Sequence, residues 1–123
     1  IHPDVGIAID VTHATDYPTA DNRQAGNIKL GGGPVITMGP NINQEVCREL
    51  KAAVGEATVQ YEAIARPTGT DANVIQLSSC GVKTGLISIP CRYMHTPYEM
   101  VSLDDARQTA ELLVQFIRHF NKV

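Results

Sequence analysis

Tryptophan is absent from this chain of 123 residues, and only 5% of its residues are aromatic. Little material is left for the ring platforms that hold sugars. Basic charge is equally scarce, since 10 Lys and Arg against 13 Asp and Glu give a net charge of −3. The basic residues are scattered singly, so there is no cationic stripe for a phosphate backbone, and nucleic acid is not expected as a partner. No apolar run approaches the ~18 residues that span a bilayer, and no segment pairs a charged start with an apolar middle as a signal peptide does. The expectation is a soluble, cytoplasmic protein with no membrane partner. The three cysteines, Cys47, Cys80 and Cys91, lie far apart without Cys-x-x-Cys spacing, which predicts buried reduced thiols rather than disulfides or a zinc knuckle. Ser78 and Ser79 lack the Gly-x-Ser-x-Gly setting of a serine hydrolase. Gly31-Gly32-Gly33 is followed by Pro34 and lacks the Gly-x-x-x-x-Gly-Lys-Ser/Thr pattern, so it reads as a turn rather than a phosphate loop.

What is present is a 43% hydrophobic, 19% charged composition, enough for one modest domain with a real core. Val5-Gly6-Ile7-Ala8-Ile9 and residues 82–90 are continuous apolar runs that predict buried strands. The first ends at Asp10 and leads into a polar stretch, 12–26, that predicts a long loop. Residues 27–30 and 35–38 predict short strands, and 58–64 another. Residues 43–54 predict a helix with Val46, Cys47, Leu50, Ala53 and Val54 on one face, Asn43 at its start and Gly55 as its stop. A second helix is expected from Asp71 to about Cys80, capped by Gly69 or Thr70 and ended by Gly81. The last begins at Ser102, with Asp105 completing a capping box and Ala106, Ala110, Leu113, Ile117 and Phe120 forming the buried stripe. Strands alternating with helices imply an α/β sandwich on a mixed, largely parallel sheet. The chain starts at Ile1 and enters its first strand almost at once, which suggests a fragment of a longer polypeptide.

Two polar residues follow buried strands directly. Asp10 needs a cation, hydrogen-bond donors or a metal to offset its burial. His95, in Arg92-Tyr93-Met94-His95-Thr96-Pro97, sits where open α/β sheets place their ligands, although a core histidine bonded to a carbonyl is the plainer reading. One carboxylate oxygen and one imidazole nitrogen are donors that zinc-type ions use, but two ligands do not complete a site. His13 and Asp16 are placed to orient a ligand or to bond loop backbone. Asp71 opens a helix, where the dipole favours a carboxylate. His2 and His119 read as surface residues.

Four ordered motifs, Asp10-Val11-Thr12-His13-Ala14-Thr15-Asp16, Gly39-Pro40-Asn41-Ile42-Asn43, Arg66-Pro67-Thr68-Gly69-Thr70-Asp71-Ala72, and Ser88-Ile89-Pro90 with Arg92 to Pro97, resemble the tetrahedral (TET) metallo-aminopeptidases. That family includes glutamyl, leucyl and deblocking aminopeptidases, some labelled cellulase M or endoglucanase. The resemblance implies a three-layer, zinc-peptidase-like α/β catalytic domain of which these residues are the C-terminal part. The preceding part and an inserted β-barrel dimerisation domain would lie outside the chain. It also implies two divalent ions, zinc or cobalt, with Asp10 and His95 serving different ions. The other ligands and the general-base glutamate would lie before Ile1, leaving no catalytic residue within the chain. His13, Asn41, Arg66, Gly69, Thr70 and Asp71 would then line the substrate or support the ligands. The implied activity is release of N-terminal residues from peptides by the full-length protein, as a homo-oligomer such as a tetrahedral dodecamer. A glycoside hydrolase would need two flanking carboxylates, and a non-catalytic α/β binding domain is the other alternative.

Overall fold

The computed structural model describes residues 1–23 and 26–120. Its longest pairing joins the two most apolar segments: β1 (Val5–His13) lies parallel to β4 (Lys83–Arg92), in register from Val5↔Lys83 to His13↔Cys91. On the other side of β4, β2 (Val35–Met38) runs antiparallel through Val35↔Ser88 and Ile36↔Ile87, and β3 (Gln60–Ala63) extends the sheet parallel to β2. The strand order is β1-β4-β2-β3, and a two-residue β5 (Met100–Val101) pairs antiparallel with the end of β4. The sheet is mixed and mostly parallel, as the sequence predicts.

Helices cover both faces of it. α1 (Gln44–Ala53) starts where Asn43 accepts the Glu45 and Val46 amides through its side-chain oxygen, a cap worth about 1 kcal/mol. It buries Val46, Cys47 and Leu50 against Ile36 and Ile87, where Leu112 and Phe116 of α3 (Leu103–His119) join them. On the opposite face the single-turn α2 (Ala72–Ile75) packs Ala72 and Ile75 onto Ala8, Ile42 and Leu86. The result is a three-layer α/β arrangement.

Several elements depart from the sequence prediction. β1 does not stop at Asp10: residues 11–13 find partners in 89–91 of β4, and the Ala14 amide continues the ladder to the Cys91 carbonyl. The predicted loop therefore begins only at Ala14, and its residues 24 and 25 lie outside the described residues. Residues 27–30 form no strand, because side chains take the amides that a strand partner would have taken. Thr15 Oγ accepts Ile28 N–H, Gln60 Oε1 accepts Lys29 N–H, and Asp16 Oδ2 accepts Leu30 N–H. The strand predicted over 58–64 contracts to Gln60–Ala63.

The helix expected from Asp71 to Cys80 ends at Ile75. Leu77 and Ser78 donate to the third residue back rather than the fourth, and Ser79 adopts a left-handed φ of 56°. Asp71 caps nothing with its side chain, and Cys80 is left exposed, so only Cys47 and Cys91 are the buried free thiols expected.

The largest correction concerns α3, whose buried stripe is Asp105, Thr109, Leu112 and Phe116, one position off the predicted one. Ile117 is 72% exposed and Leu103 85% exposed. The displaced stripe is set by Asp105, which is fully buried and accepts the Gly31 and Gly33 amides at 2.8 Å each. The Ser102 half of the capping box survives at 3.5 Å, while the Asp105 carboxylate is spent on the glycine turn. Gly33 suits that turn because its φ is +86° and a Cβ there would strike the Thr58 carbonyl.

Candidate functional site

Strand alternation puts Ala8, Asp10 and Thr12 of β1 on the α2 side of the sheet, beside Leu86 and Ser88 of β4, with which Ala8 and Asp10 are in register. Thr37 of β2 and Glu62 of β3 carry the polar floor across. Thr12 donates its hydroxyl to Glu62 Oε1 at 2.7 Å, and Thr37 donates to Oε2 at 2.9 Å. Above this floor opens a cleft of about 680 Å³, lined by Asp10, Thr12, His13, Glu62, Ser88, His95 and residues 64–70. Asp10 and His95, far apart in sequence, therefore face the same space.

Asp10 is half-buried. One carboxylate oxygen accepts the Val11 amide at 2.8 Å, and the other takes no hydrogen bond among the described residues. His95 is exposed on the turn that follows β4. Its ring stands edge-on to His13, with centroids 6.3 Å apart, and its amide donates to Glu99 Oε1 at 2.6 Å. Both Tyr93 and His95 hold left-handed φ angles, 57° and 67°, which cost non-glycine residues roughly 1–2 kcal/mol each. The turn is closed by Thr96, whose hydroxyl donates to the Tyr93 carbonyl at 2.6 Å and accepts the Tyr98 amide.

The base of that turn is held by an ion pair. Arg92 Nε donates to Asp16 Oδ1 at 2.8 Å and Nη2 to Oδ2 at 2.7 Å. The guanidinium holds the Asp16 carboxyl below the usual carboxylate range; burial opposes this and the Leu30 amide reinforces it. Asp16 thus bonds loop backbone, as one of its sequence readings has it, and a guanidinium besides.

The loop before α2 forms the far wall of the cleft, where Arg66, Gly69 and Thr70 lie. Asn41, 4% exposed, sits behind that wall. It donates to the Thr68 hydroxyl and accepts the Thr68 amide, and the Thr68 and Thr70 hydroxyls are 2.7 Å apart. Asp71 does not line the cleft. His2 and His119 are on the surface.

Glu62 is the cleft residue that sequence reasoning misses. It is 7% exposed, while its neighbour Tyr61 is 45% exposed, the reverse of what hydropathy suggests. The available signal is the period of two, which forces one of the pair inward, together with the threonines at matching positions on other strands.

No set of three His, Cys, Asp or Glu side chains among the described residues gathers closely enough to hold a metal ion. Asp10 and His95 still fit a divalent cation in kind. One offers a carboxylate oxygen without a hydrogen bond, and the other an imidazole with no hydrogen bond to its ring among the described residues. They would supply only part of a ligand set.

Residues 1–112 match the model of the M42 glutamyl aminopeptidase family. A lysyl aminopeptidase of Pyrococcus furiosus is 44% identical over 117 residues, covering 91% of this chain and 32% of that protein. An aminopeptidase from the archaeon Desulfurococcus kamchatkensis superposes with a TM-score of 0.79 at 37% identity, over 94% of this chain and 34% of that one. A TET aminopeptidase from a marine-sediment Thaumarchaeota archaeon shares the fold, with a TM-score of 0.87 at 24% identity over 97% and 34% of the two chains. The chain thus spans about a third of the length of these relatives.

Proposed function

The chain belongs to the M42 glutamyl aminopeptidase family, and from that premise we propose that the polypeptide containing it is a metal-dependent aminopeptidase that releases N-terminal residues from peptides. In this reading Asp10 and His95 each give one ligand to a different ion of a dinuclear pair, zinc or cobalt. The observation that carries it is their convergence on one cleft from strands β1 and β4. The chain forms the C-terminal part of the catalytic domain. The remaining ligands, the general-base glutamate and an inserted β-barrel belong to the rest of the polypeptide, which we propose works in the cytoplasm as a homo-oligomer. No helix of the described residues is long and apolar enough to cross a membrane.

Two divalent ions, when bound, would polarise the scissile carbonyl and lower the pKa of a bound water towards ~7. What this chain contributes is placement. Asp10 offers an anionic oxygen from a rigid strand, and His95 a neutral nitrogen from a braced turn. The Asn41–Thr68–Thr70 network holds the wall formed by Arg66, Gly69 and Thr70, against which a peptide backbone would lie. Glu62, fixed by two threonine hydroxyls, keeps the floor in shape without competing for the cleft through a mobile side chain.

The test is metal content and hydrolysis of aminoacyl p-nitroanilides by the full-length protein and its Asp10→Ala and His95→Ala variants. Each variant is expected to lose metal and most of its turnover while remaining folded. Unchanged metal stoichiometry with unchanged turnover would refute the assignment.

A further inference from the structure

We propose that Asp16 and Arg92 act together as positioning residues for His95: the guanidinium fork, gripped by an anchored carboxylate, sets the direction in which the turn after β4 delivers the imidazole to the cleft. This rests on the aminopeptidase reading above and names the device that aims one of its ligands.

Arg92 is the last residue of β4, and only Tyr93 and Met94 separate it from His95. Of the three residues after Arg92, Tyr93 and His95 are left-handed without being glycine. Conformations of that kind persist only where the surroundings over-determine them, and they cluster at functional sites. Here the surroundings are explicit. The Arg92–Asp16 contact is side-on and two-pronged, and a planar fork fixes orientation as well as distance, which a point-like ammonium does not. Asp16 is not free to follow the arginine, since its Oδ2 also accepts the Leu30 amide at 3.0 Å.

Two ring contacts tie the same segments together: Tyr17 against Tyr93 at 5.6 Å, and His13 edge-on to His95. Beyond His95 the turn is closed by Thr96 and Glu99. The segment that follows Asp10 on β1 is therefore clamped to the segment that carries His95, so the two proposed ligands share one rigid frame. Neither Asp16 nor Arg92 lines the cleft, so any influence on a bound ion has to pass through His95.

The experiment uses the full-length enzyme, stripped of metal and titrated with cobalt(II), following the visible absorption of the bound ion. Turnover and thermal melting of the metal-free protein are measured on the same preparations. Arg92→Lys keeps the charge but loses the fork, and Asp16→Asn keeps the shape but loses the charge. Leu50→Val, in the helical core, controls for lost stability.

Both clamp variants are expected to weaken cobalt binding by about 10- to 100-fold and alter its spectrum. Their kcat should fall in parallel while KM stays within about twofold. Leu50→Val should lower the melting temperature and leave affinity and spectrum unchanged. If Arg92→Lys does not fold, the near-isosteric Asp16→Asn carries the comparison. Clamp variants that melt earlier yet bind cobalt with wild-type affinity and spectrum would overturn the proposal and leave the pair a structural strap. A wild-type protein that binds cobalt and shows no peptide turnover would overturn the aminopeptidase reading while the clamp is still judged by its affinity and spectrum. A wild-type protein that binds no cobalt would overturn both.

Discussion

The two faces of the sheet are made by the same strands and do opposite work. Towards α1 and α3 the strands present Ile7, Ile36 and Ile87, which meet Val46, Leu50, Leu112 and Phe116 in a continuous apolar layer. Towards α2 the apolar contact shrinks to Ala8, Ile42, Ala72 and Leu86, and the strands continue as Asp10, Thr12, Thr37, Glu62 and Ser88. A period of two lets one strand serve both ends. The helical face supplies the apolar burial that stabilises the fold, and this permits the cleft face to hold carboxylates close to the interior, where burial is unfavourable. Polar residues on the cleft side are held by hydroxyls and amides rather than by packing, so substitutions there should alter chemistry more than stability.

Five substitutions at four positions, and one titration, can break that contrast. The largest expected loss of stability is on the helical face: Leu50, fully buried, replaced by Ala should cost about 2–5 kcal/mol in denaturant unfolding. A loss under 1 kcal/mol would mean that the layer is loosely packed. Next comes Asp105→Ala, which strands the Gly31 and Gly33 amides and should cost about 2–3 kcal/mol by the same measurement. On the cleft face, Glu62→Gln retains an acceptor for one threonine and loses the other, so about 1–2 kcal/mol is expected. A loss as large as that of Leu50→Ala would erase the distinction between the faces. His95→Ala should change stability by under about 0.5 kcal/mol, and His95→Gly should be at least as stable because glycine accepts the left-handed φ freely. Under the aminopeptidase proposal, both should remove most peptide turnover from the full-length protein.

The smallest effect is the titration of Asp16. Its carboxyl is held below its ordinary value of 3.8 by Arg92, so the stabilisation is present above that value and lost as pH falls through the lowered one. Unfolding curves between pH 5 and 2 should flatten in Asp16→Asn relative to wild type, and superimposable profiles would deny the pair any role in acid stability.

Much of the helical face is legible from hydropathy alone: β4, β2 and α1 lie where apolar runs and the Asn43 cap put them. The α3 stripe is misplaced because its buried positions include Asp105 and Thr109, polar residues that the fold satisfies internally. Asp105 is held by two glycine amides, and Thr109 donates its hydroxyl to the Asp105 carbonyl. Hydropathy registers none of these three bonds. The end of β1 and the lost strand at 27–30 have one origin: whether a backbone amide meets a strand or a side-chain oxygen depends on distant residues such as Gln60 and Asp16. That Asp10 and His95 face one cleft is readable in outline because each comes just after an apolar run in the sequence, although β1 itself continues past Asp10 to His13. Glu62 and the Asp16–Arg92 clamp are not, since their partners lie 25, 50 and 76 positions away.

The parallel pairing of β1 with β4 also sets a timetable. Among the described residues, the only strand partner of β1 is β4, and the two are roughly 80 residues apart, a stretch that a ribosome adding about 5–20 residues per second takes on the order of 4–16 s to make. During that interval the edge of Val5–His13 that β4 will claim waits for its partner, a state that invites pairing with the wrong strand. Asp10 and His95 come to face one cleft only when β4 docks, so that cleft cannot form before the turn after β4 has been made.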